Sequence, residues 1–139
     1  MANDPATHPA RLASQRSIDA VHAKDKDAWV ANFADDGAVE DPIGPSIFDP
    51  EGKGHRGKEA ISRFWDNQIA PNRVLFNIKH SYAAGLEVAN VGTITVVAPS
   101  GVVMLVDGVF TYRVNEAGKL SALRAYWELG GLEVFPPAD

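Results

Sequence analysis

Two neighbouring acids in an otherwise apolar segment are the first candidates for chemistry. In Val39-Glu40-Asp41-Pro42-Ile43-Gly44, an extended backbone would point Glu40 and Asp41 to opposite faces. If Val39 packs inward, Asp41 points inward with it. An apolar pocket raises the pKa of a carboxyl because desolvation disfavours its charge, and such a group can transfer protons at neutral pH. The segment marks Asp41 as a candidate acid/base; the alternative is an aspartate that caps a turn before Pro42.

A first helix is expected near the N-terminus. It would start at Asp4-Pro5 or at Thr7-His8-Pro9, since a cap residue near a proline favours a helix start. Its apolar face then places Ser17 toward the core. The residues that recur at helical spacing are Ala10, Ala13, Ser17, Ala20 and Val21.

Two further helices are expected, separated by a loop. The second carries Trp29, Val30 and Phe33 and ends near residues 35–37. Residues 42–57 hold three Pro and four Gly, which predicts a loop in which His55 is solvated. The third helix stops before Pro71, and its apolar stripe consists of Ile61, Phe64, Trp65, Gln68 and Ile69.

From residue 72 onward the period changes to two, which is typical of strands. Long strands are predicted over roughly residues 86–98 and 102–114, and a last strand runs through residues 123–129. Phe110 and Tyr112 share one face of their strand, and Trp127 and Leu129 share one face of the last. Helices followed by consecutive strands predict an α+β fold, with three helices packed in one curved, mostly antiparallel sheet.

The outward face of this sheet is expected to carry Val103, Leu105, Val109 and Tyr126 among its charged residues. A monomer seldom leaves so much apolar surface wet. The sequence therefore predicts a homodimer formed through the sheet.

Composition and charge limit the domain number, the partners and the cofactors that are expected. The 139 residues are expected to form a single domain, 1–139, and the absence of cysteine excludes disulfides and thiol chemistry. The net charge is −5 and no run of Lys or Arg is present, so neither nucleic acid nor membrane is an expected partner. The first ten residues lack an apolar segment, so a cytoplasmic location is expected. The histidines lack metal-ligand spacing, and no metal or organic cofactor is inferred.

Several segments together resemble bacterial Δ5-3-ketosteroid isomerases, and more closely the ketosteroid isomerase-like proteins of mycobacteria. These segments are Gln15-Arg16, Phe33-Ala34-Asp35-Asp36, Val39 to Gly44, Gly108 to Asn115 and Ala125-Tyr126-Trp127. The resemblance implies the cone-shaped α+β fold of nuclear transport factor 2 and a deep apolar pocket. It also implies that Asp41 is the aspartate that moves a proton between carbons beside a ketone.

The other two family roles do not carry over. In the family a tyrosine and a protonated aspartic acid hydrogen-bond the ketone oxygen, and the resemblance places Ser17 and Phe110 at those positions. Ser17 is shorter than tyrosine, and Phe110 cannot donate a hydrogen bond. The resemblance also implies that Trp65 and Trp127 border the site, although both equally fit plain core positions.

Two other residues could supply the missing donor. Tyr112 is in phase with Phe110, and its hydroxyl either donates to a ligand oxygen or reaches a backbone carbonyl. Asp107 lies on the opposite face unless Gly108 marks a bulge that turns it inward.

These residues are compatible with three functions. The first is a steroid Δ5-isomerase, which binds a flat polycyclic ketone and shifts a proton through Asp41. The second is a non-catalytic binding protein for such a ligand, and the third is a polyketide-cyclase-type enzyme that also needs one acid. The substrate-binding residues expected in each case are Ser17, Trp65, Phe110, Tyr112 and Trp127.

Overall fold

The computed structural model describes residues 7–137. Its helices are α1 (Pro9–Ala23), α2 (Lys26–Ala31) and α3 (Gly57–Phe64), the last of which continues as a π-helical turn, Trp65–Ile69. Its strands are β1 (Phe33–Glu40), β2 (His55–Arg56), β3 (Arg73–Ala84), β4 (Glu87–Val97), β5 (Val103–Val114), β6 (Leu120–Tyr126) and β7 (Glu133–Phe135). Within the described range, no helix is long and apolar enough to cross a membrane.

One sheet carries all seven strands, in the order β2-β1-β6-β5-β4-β3, with β7 paired to β5. β1 and β6 run parallel, whereas the other pairs are antiparallel. The sheet is curved and open, and the three helices pack against it. The expected α+β cone with a mostly antiparallel sheet is confirmed.

Local chemistry explains the limits of the first helix. α1 starts at Pro9, where the missing N–H of proline costs nothing, and the His8 side chain accepts from the Ala10 N–H at 3.1 Å. The helix ends at Lys24, which adopts a left-handed conformation. The alternative start at Asp4-Pro5 lies outside the described residues.

The second helix ends earlier than its apolar pattern indicates, and residues 33–37 belong to β1. Asn32 is buried and stops the helix. Its side chain donates to the Ala13 carbonyl at 2.9 Å and accepts from Arg16 at 2.9 Å. Its backbone carbonyl accepts from the Leu120 N–H at 2.9 Å. These long-range bonds pull the chain out of the helix and into the sheet, so Phe33 pairs with Leu120.

The sheet bends along one row of residues. Gly92 on β4 faces Gly108 on β5, and the register of β3 shifts beside Gly92, between Ile78 and His80. A Cβ on Gly92 would lie 2.1 Å from the Asn77 carbonyl oxygen, so the strands approach more closely there than any other residue allows.

Gly108 marks the point where β5 changes neighbours. A Cβ there would lie 2.6 Å from the Tyr126 carbonyl oxygen. β6 ends at Tyr126, and the chain returns to β5 only as β7. The strand predicted through residue 129 is therefore too long: Leu129 lies in a 3₁₀ turn and is exposed. The early end frees Trp127 from the sheet.

The close approach at Gly92 gives a stability prediction. Gly92→Ala should lower the free energy of unfolding by about 2–4 kcal/mol, because backbone atoms of β3 would have to move. Gly130→Ala is the matched control, since nothing lies within 4 Å of its added methyl group. Urea denaturation of both variants measures the difference, and equal stabilities would contradict the bend assigned to Gly92.

Candidate functional site

A deep cavity lies between the helices and the concave face of the sheet. Its walls are mainly aliphatic and aromatic side chains from α1, α3 and β3 to β5. The volume open to the centres of water molecules is about 150 Å³, which is room for roughly ten waters or more at about 10–15 Å³ each. The polar side chains on its walls are few: Ser17, Trp29, Asp41, Gln68, Asn72, Tyr112 and Trp127.

Asp41 and Trp127 are brought together by the parallel pairing of β1 and β6. Asp41 follows the last residue of β1, and Trp127 follows the last residue of β6. Because parallel strands end at the same edge, both residues leave the sheet side by side. The Ile43 N–H donates to the Ala125 carbonyl at 3.1 Å, which fixes the two segments together. The Trp127 Nε1–H then donates to Asp41 Oδ1 at 2.7 Å.

The surroundings of Asp41 alter its proton affinity. Burial raises the pKa of the Asp41 carboxyl, and the Trp127 hydrogen bond and the nearby positive field of His55 lower it part of the way back. Glu40 points the other way, as strand alternation predicts. It pairs with Arg56 at 3.2 Å and with Arg124 at 3.3 Å. The two adjacent acids thus have separate surroundings, and only Asp41 lines the cavity.

The glycine-rich context of His55 predicted a solvated side chain, but the structure turns this side chain inward. It pairs with Val39 across β1 and β2, and directly opposed residues share a face, so His55 points inward with Val39. Its ring lies 4.9 Å from the Phe64 ring, between centroids. Its Nε2 is buried and has no hydrogen-bond partner among residues 7–137. Pairing of the short strand β2 with β1 withdraws this ring nitrogen from water, an effect that loop composition does not reveal.

On the cavity wall, the buried residues Tyr112, Ser17 and Trp29 form a hydrogen-bonded cluster. The Trp29 Nε1–H donates to Ser17 Oγ at 3.0 Å. Burial, and next the charge of Asp41, raise the pKa of the Tyr112 phenol, and a hydrogen bond between the phenol and Ser17 opposes the rise. The phenol therefore stays protonated across the working range of pH and remains a donor.

Most residues named from the sequence lie around this cavity. Ser17, Asp41, Phe110, Tyr112 and Trp127 all line it. The Phe110 ring packs edge-on against Phe76, with centroids 6.0 Å apart, and offers no polar atom.

Trp65 and Asp107 lie elsewhere. Trp65 is buried behind the cavity wall against Trp29, with ring centroids 5.4 Å apart, because Phe64, Gln68 and Ile69 are the residues that face the cavity from this helix. Trp65 is therefore not among the residues that line the cavity. Asp107 is exposed on the outer face and accepts from Thr93 at 2.6 Å. The register of β4 and β5 runs through Gly108 without a bulge.

Phe48 and Gln68 are among the lining residues that were not identified from the sequence. Phe48 comes from the long loop, and its ring lies 6.4 Å from that of Trp127. Gln68 was taken as part of a packing stripe, although a polar residue in such a stripe is the available signal for a site. Among residues 7–137, no group of three or more His, Asp or Glu side chains is placed to hold a metal ion.

Comparisons with known proteins agree with this architecture. The model of the SnoaL-like domain family matches residues 14–123. The Δ5-3-ketosteroid isomerase from Mycobacterium sp. is 39% identical, with a TM-score of 0.88 over 91% of this chain and 98% of that one. RV0760c from Mycobacterium tuberculosis is 40% identical, with a TM-score of 0.87 over 91% and 96%.

Two further solved structures are a ligand complex and a designed binding protein. RV0760c in complex with estradiol-17beta-hemisuccinate has a TM-score of 0.87 at 40% identity, over 90% of this chain and 98% of that one. A computationally designed 17-OHP binder is 37% identical, with a TM-score of 0.88 over 91% and 98%. With a family model spanning most of its length and relatives near 40% identity over nearly the whole of both chains, this chain belongs to the SnoaL-like family and, within it, to the ketosteroid isomerase-like proteins.

Proposed function

We propose that this protein binds a steroid or a similar flat polycyclic ketone and that Asp41 shifts a proton between two of its carbons. The observation that carries the proposal is an inward-facing carboxylate, held by the Trp127 indole at the wall of an apolar cavity. Asp41 takes a proton from the carbon beside the ketone, an enolate forms, and Asp41 returns the proton at the far end of the conjugated system. The reaction needs no cofactor.

The ligand class is supported by the cavity walls and by the relatives. Apolar burial contributes about 25 cal/mol per Å², so a few hundred Å² of ligand surface is enough for micromolar binding after association costs. Two relatives at 37–40% identity are described with steroids, estradiol-17beta-hemisuccinate and 17-OHP. A rigid ring system also loses little conformational entropy in a narrow cavity.

Tyr112 is the residue that we assign to the developing oxyanion. The Trp29 Nε1–H donates a hydrogen bond to Ser17 Oγ, which leaves the Ser17 O–H available to donate to the Tyr112 phenol oxygen. The Tyr112 O–H is then free to donate to a ligand oxygen. Since Ser17 and Phe110 do not replace the two family donors, this site has one donor of that kind, and losing a donor typically costs about 10²–10³ in rate.

The lack of a second oxyanion donor favours one alternative, a binding protein with little or no turnover. Binding depends on the apolar walls, which are intact, whereas turnover depends on donors aimed at the oxygen. Asp41 distinguishes the two functions, because binding of a neutral ketone does not require a base.

The first functional prediction concerns Asp41. With 5-androstene-3,17-dione as substrate, the wild-type protein should form the conjugated enone, more slowly than isomerases with both donors, and Asp41→Asn should lower kcat by about 10²–10⁴ because the base is lost. Absorbance of the enone measures the rate, and fluorescence titration measures affinity, which should change little. Asp107→Asn, on the outer face, is the matched control. Steroid binding without turnover in the wild type would instead support the binding protein.

The second prediction concerns pH. Asp41 accepts a proton only when ionised, so kcat/KM should fall as the pH drops through its pKa, which burial raises above the ordinary value of about 3.9. Trp127→Phe removes a hydrogen bond to the charged form, so this acid limb should move to higher pH by about one unit. Trp65→Phe is the control, because Trp65 does not touch Asp41. An unchanged limb in Trp127→Phe would contradict the role of the indole.

A homodimer through the outer face of the sheet is also proposed. Tyr126 is 47% exposed there, and Val103, Leu105 and Val109 are only half-buried. Covering such a face removes apolar surface from water. Sedimentation equilibrium at micromolar concentration should give twice the monomer mass, and Tyr126→Glu should shift the protein toward monomer. A wild-type monomer under these conditions would refute the dimer.

A further inference from the structure

The cavity has a second polar end, formed by Gln68 and Asn72. Between this end and the Asp41 end the walls are almost wholly apolar, with residues such as Val74, Phe76 and Ile94. A polar side chain on an apolar wall costs desolvation free energy when a ligand covers it, unless the ligand offers it a hydrogen bond. The position of these two amides therefore bears on which ligand fits.

The strand register shows how far apart the two polar ends lie. The segment after Asp41 is bonded to Ala125, which pairs with Phe110 on β5. Asn72 leads into β3, where Val74 stands in one row with Val96 and Met104. Phe110 and Met104 are six residues apart on β5, or about 20 Å along the strand at roughly 3.3 Å per residue. The sheet bends between them, so the direct path is shorter, but the two polar ends are well separated.

The backbone that carries the two amides is held firmly. The Ala70 N–H donates to the Trp65 carbonyl at 2.8 Å, a π-type bond, and this turn places the consecutive residues Gln68 and Ile69 on the cavity wall. Lys24 Nζ donates to the carbonyl oxygens of Ile69 at 2.7 Å and of Ala70 at 3.0 Å, and also to that of Asn72. One ammonium group thus holds three carbonyl oxygens together at the end of the turn.

The two amides differ in their availability. The Asn72 side-chain nitrogen donates to the Gln68 backbone carbonyl at 2.9 Å, so that side chain is fixed in place. The Gln68 carboxamide has no hydrogen-bond partner among the residues that the structure describes. A carboxamide can both donate and accept, and Asp41 is the one acidic or basic side chain on the described cavity wall. A neutral oxygen, either hydroxyl or carbonyl, matches Gln68 better than a charged group does.

We propose that Gln68 is a specificity residue, which recognises a neutral hydroxyl or carbonyl group on the ligand at the end opposite the ketone that faces Asp41. This inference rests on the proposed function and narrows its ligand class to rigid polycycles with an oxygen at each end. Fixed by the π turn and Lys24, Gln68 contributes to binding without taking part in proton transfer.

The test compares two steroids that differ only in the distal oxygen, 4-androstene-3,17-dione and 4-androsten-3-one. The wild type should bind the dione about 2–10-fold more tightly, the ratio that one net hydrogen bond gives. Gln68→Met keeps a similar length and removes the amide, so it should abolish this preference while leaving the affinity for 4-androsten-3-one nearly unchanged. Asn67→Met is the matched control on the same turn, because Asn67 is exposed and does not line the cavity. Calorimetric titration gives all six dissociation constants.

Three other outcomes would overturn the inference. A preference for the dione that survives in Gln68→Met overturns the assignment to Gln68 and leaves the proposed function standing. An equal loss of affinity for both steroids shows that Gln68 shapes the cavity without recognising the oxygen, and this also overturns the inference. If the wild type binds neither steroid, the inference fails together with the proposed ligand class.

Discussion

The parallel pairing of β1 and β6 is the constraint on which the site depends. In an otherwise antiparallel sheet, this pair makes two strands end at the same edge, so Asp41 and Trp127 emerge next to each other although they are far apart in sequence. Antiparallel pairing would have put them at opposite edges. β6 ends at Tyr126, so Trp127 lies just past the strand, where its indole N–H donates to the carboxylate.

The same arrangement balances two opposing demands on Asp41. An apolar cavity favours a flat hydrophobic ligand, but it also raises the pKa of the carboxyl and so lowers the fraction that can act as a base. The Trp127 N–H and the field of His55 lower that pKa again without making the cavity wet. Glu40 lies on the other face, where two arginines bind it.

Local patterns were sufficient for much of the fold and for the inward direction of the Asp41 side chain. Strand alternation placed Asp41 inward and Glu40 outward, and the change of period near residue 72 indicated helices followed by a sheet. Effects of distant residues were not accessible. Asn32 ends α2 through bonds to Ala13 and Leu120, and Trp65 turns away from the cavity while the π turn aims Gln68 into it. Neither the buried edge of His55 nor the bend at Gly92 follows from residue type alone, because each depends on a strand from elsewhere in the chain.

The cluster of Tyr112, Ser17 and Trp29 shows how a phenol from another element can stand in for the family tyrosine at position 17. A tyrosine at position 17 would bring its hydroxyl from α1, whereas here the phenol comes from Tyr112 on β5, and Ser17 lies behind it. The Trp29 N–H donates to Ser17 Oγ, and Ser17 is also a hydrogen-bond partner of the Tyr112 phenol. A hydrogen bond donated to that oxygen makes its own O–H a stronger donor, since linked hydrogen bonds polarise one another. Phe110 adds no such support, so in the proposed reaction stabilisation of an oxyanion would rely on one phenol, whereas binding of a ring system would rely on the apolar walls.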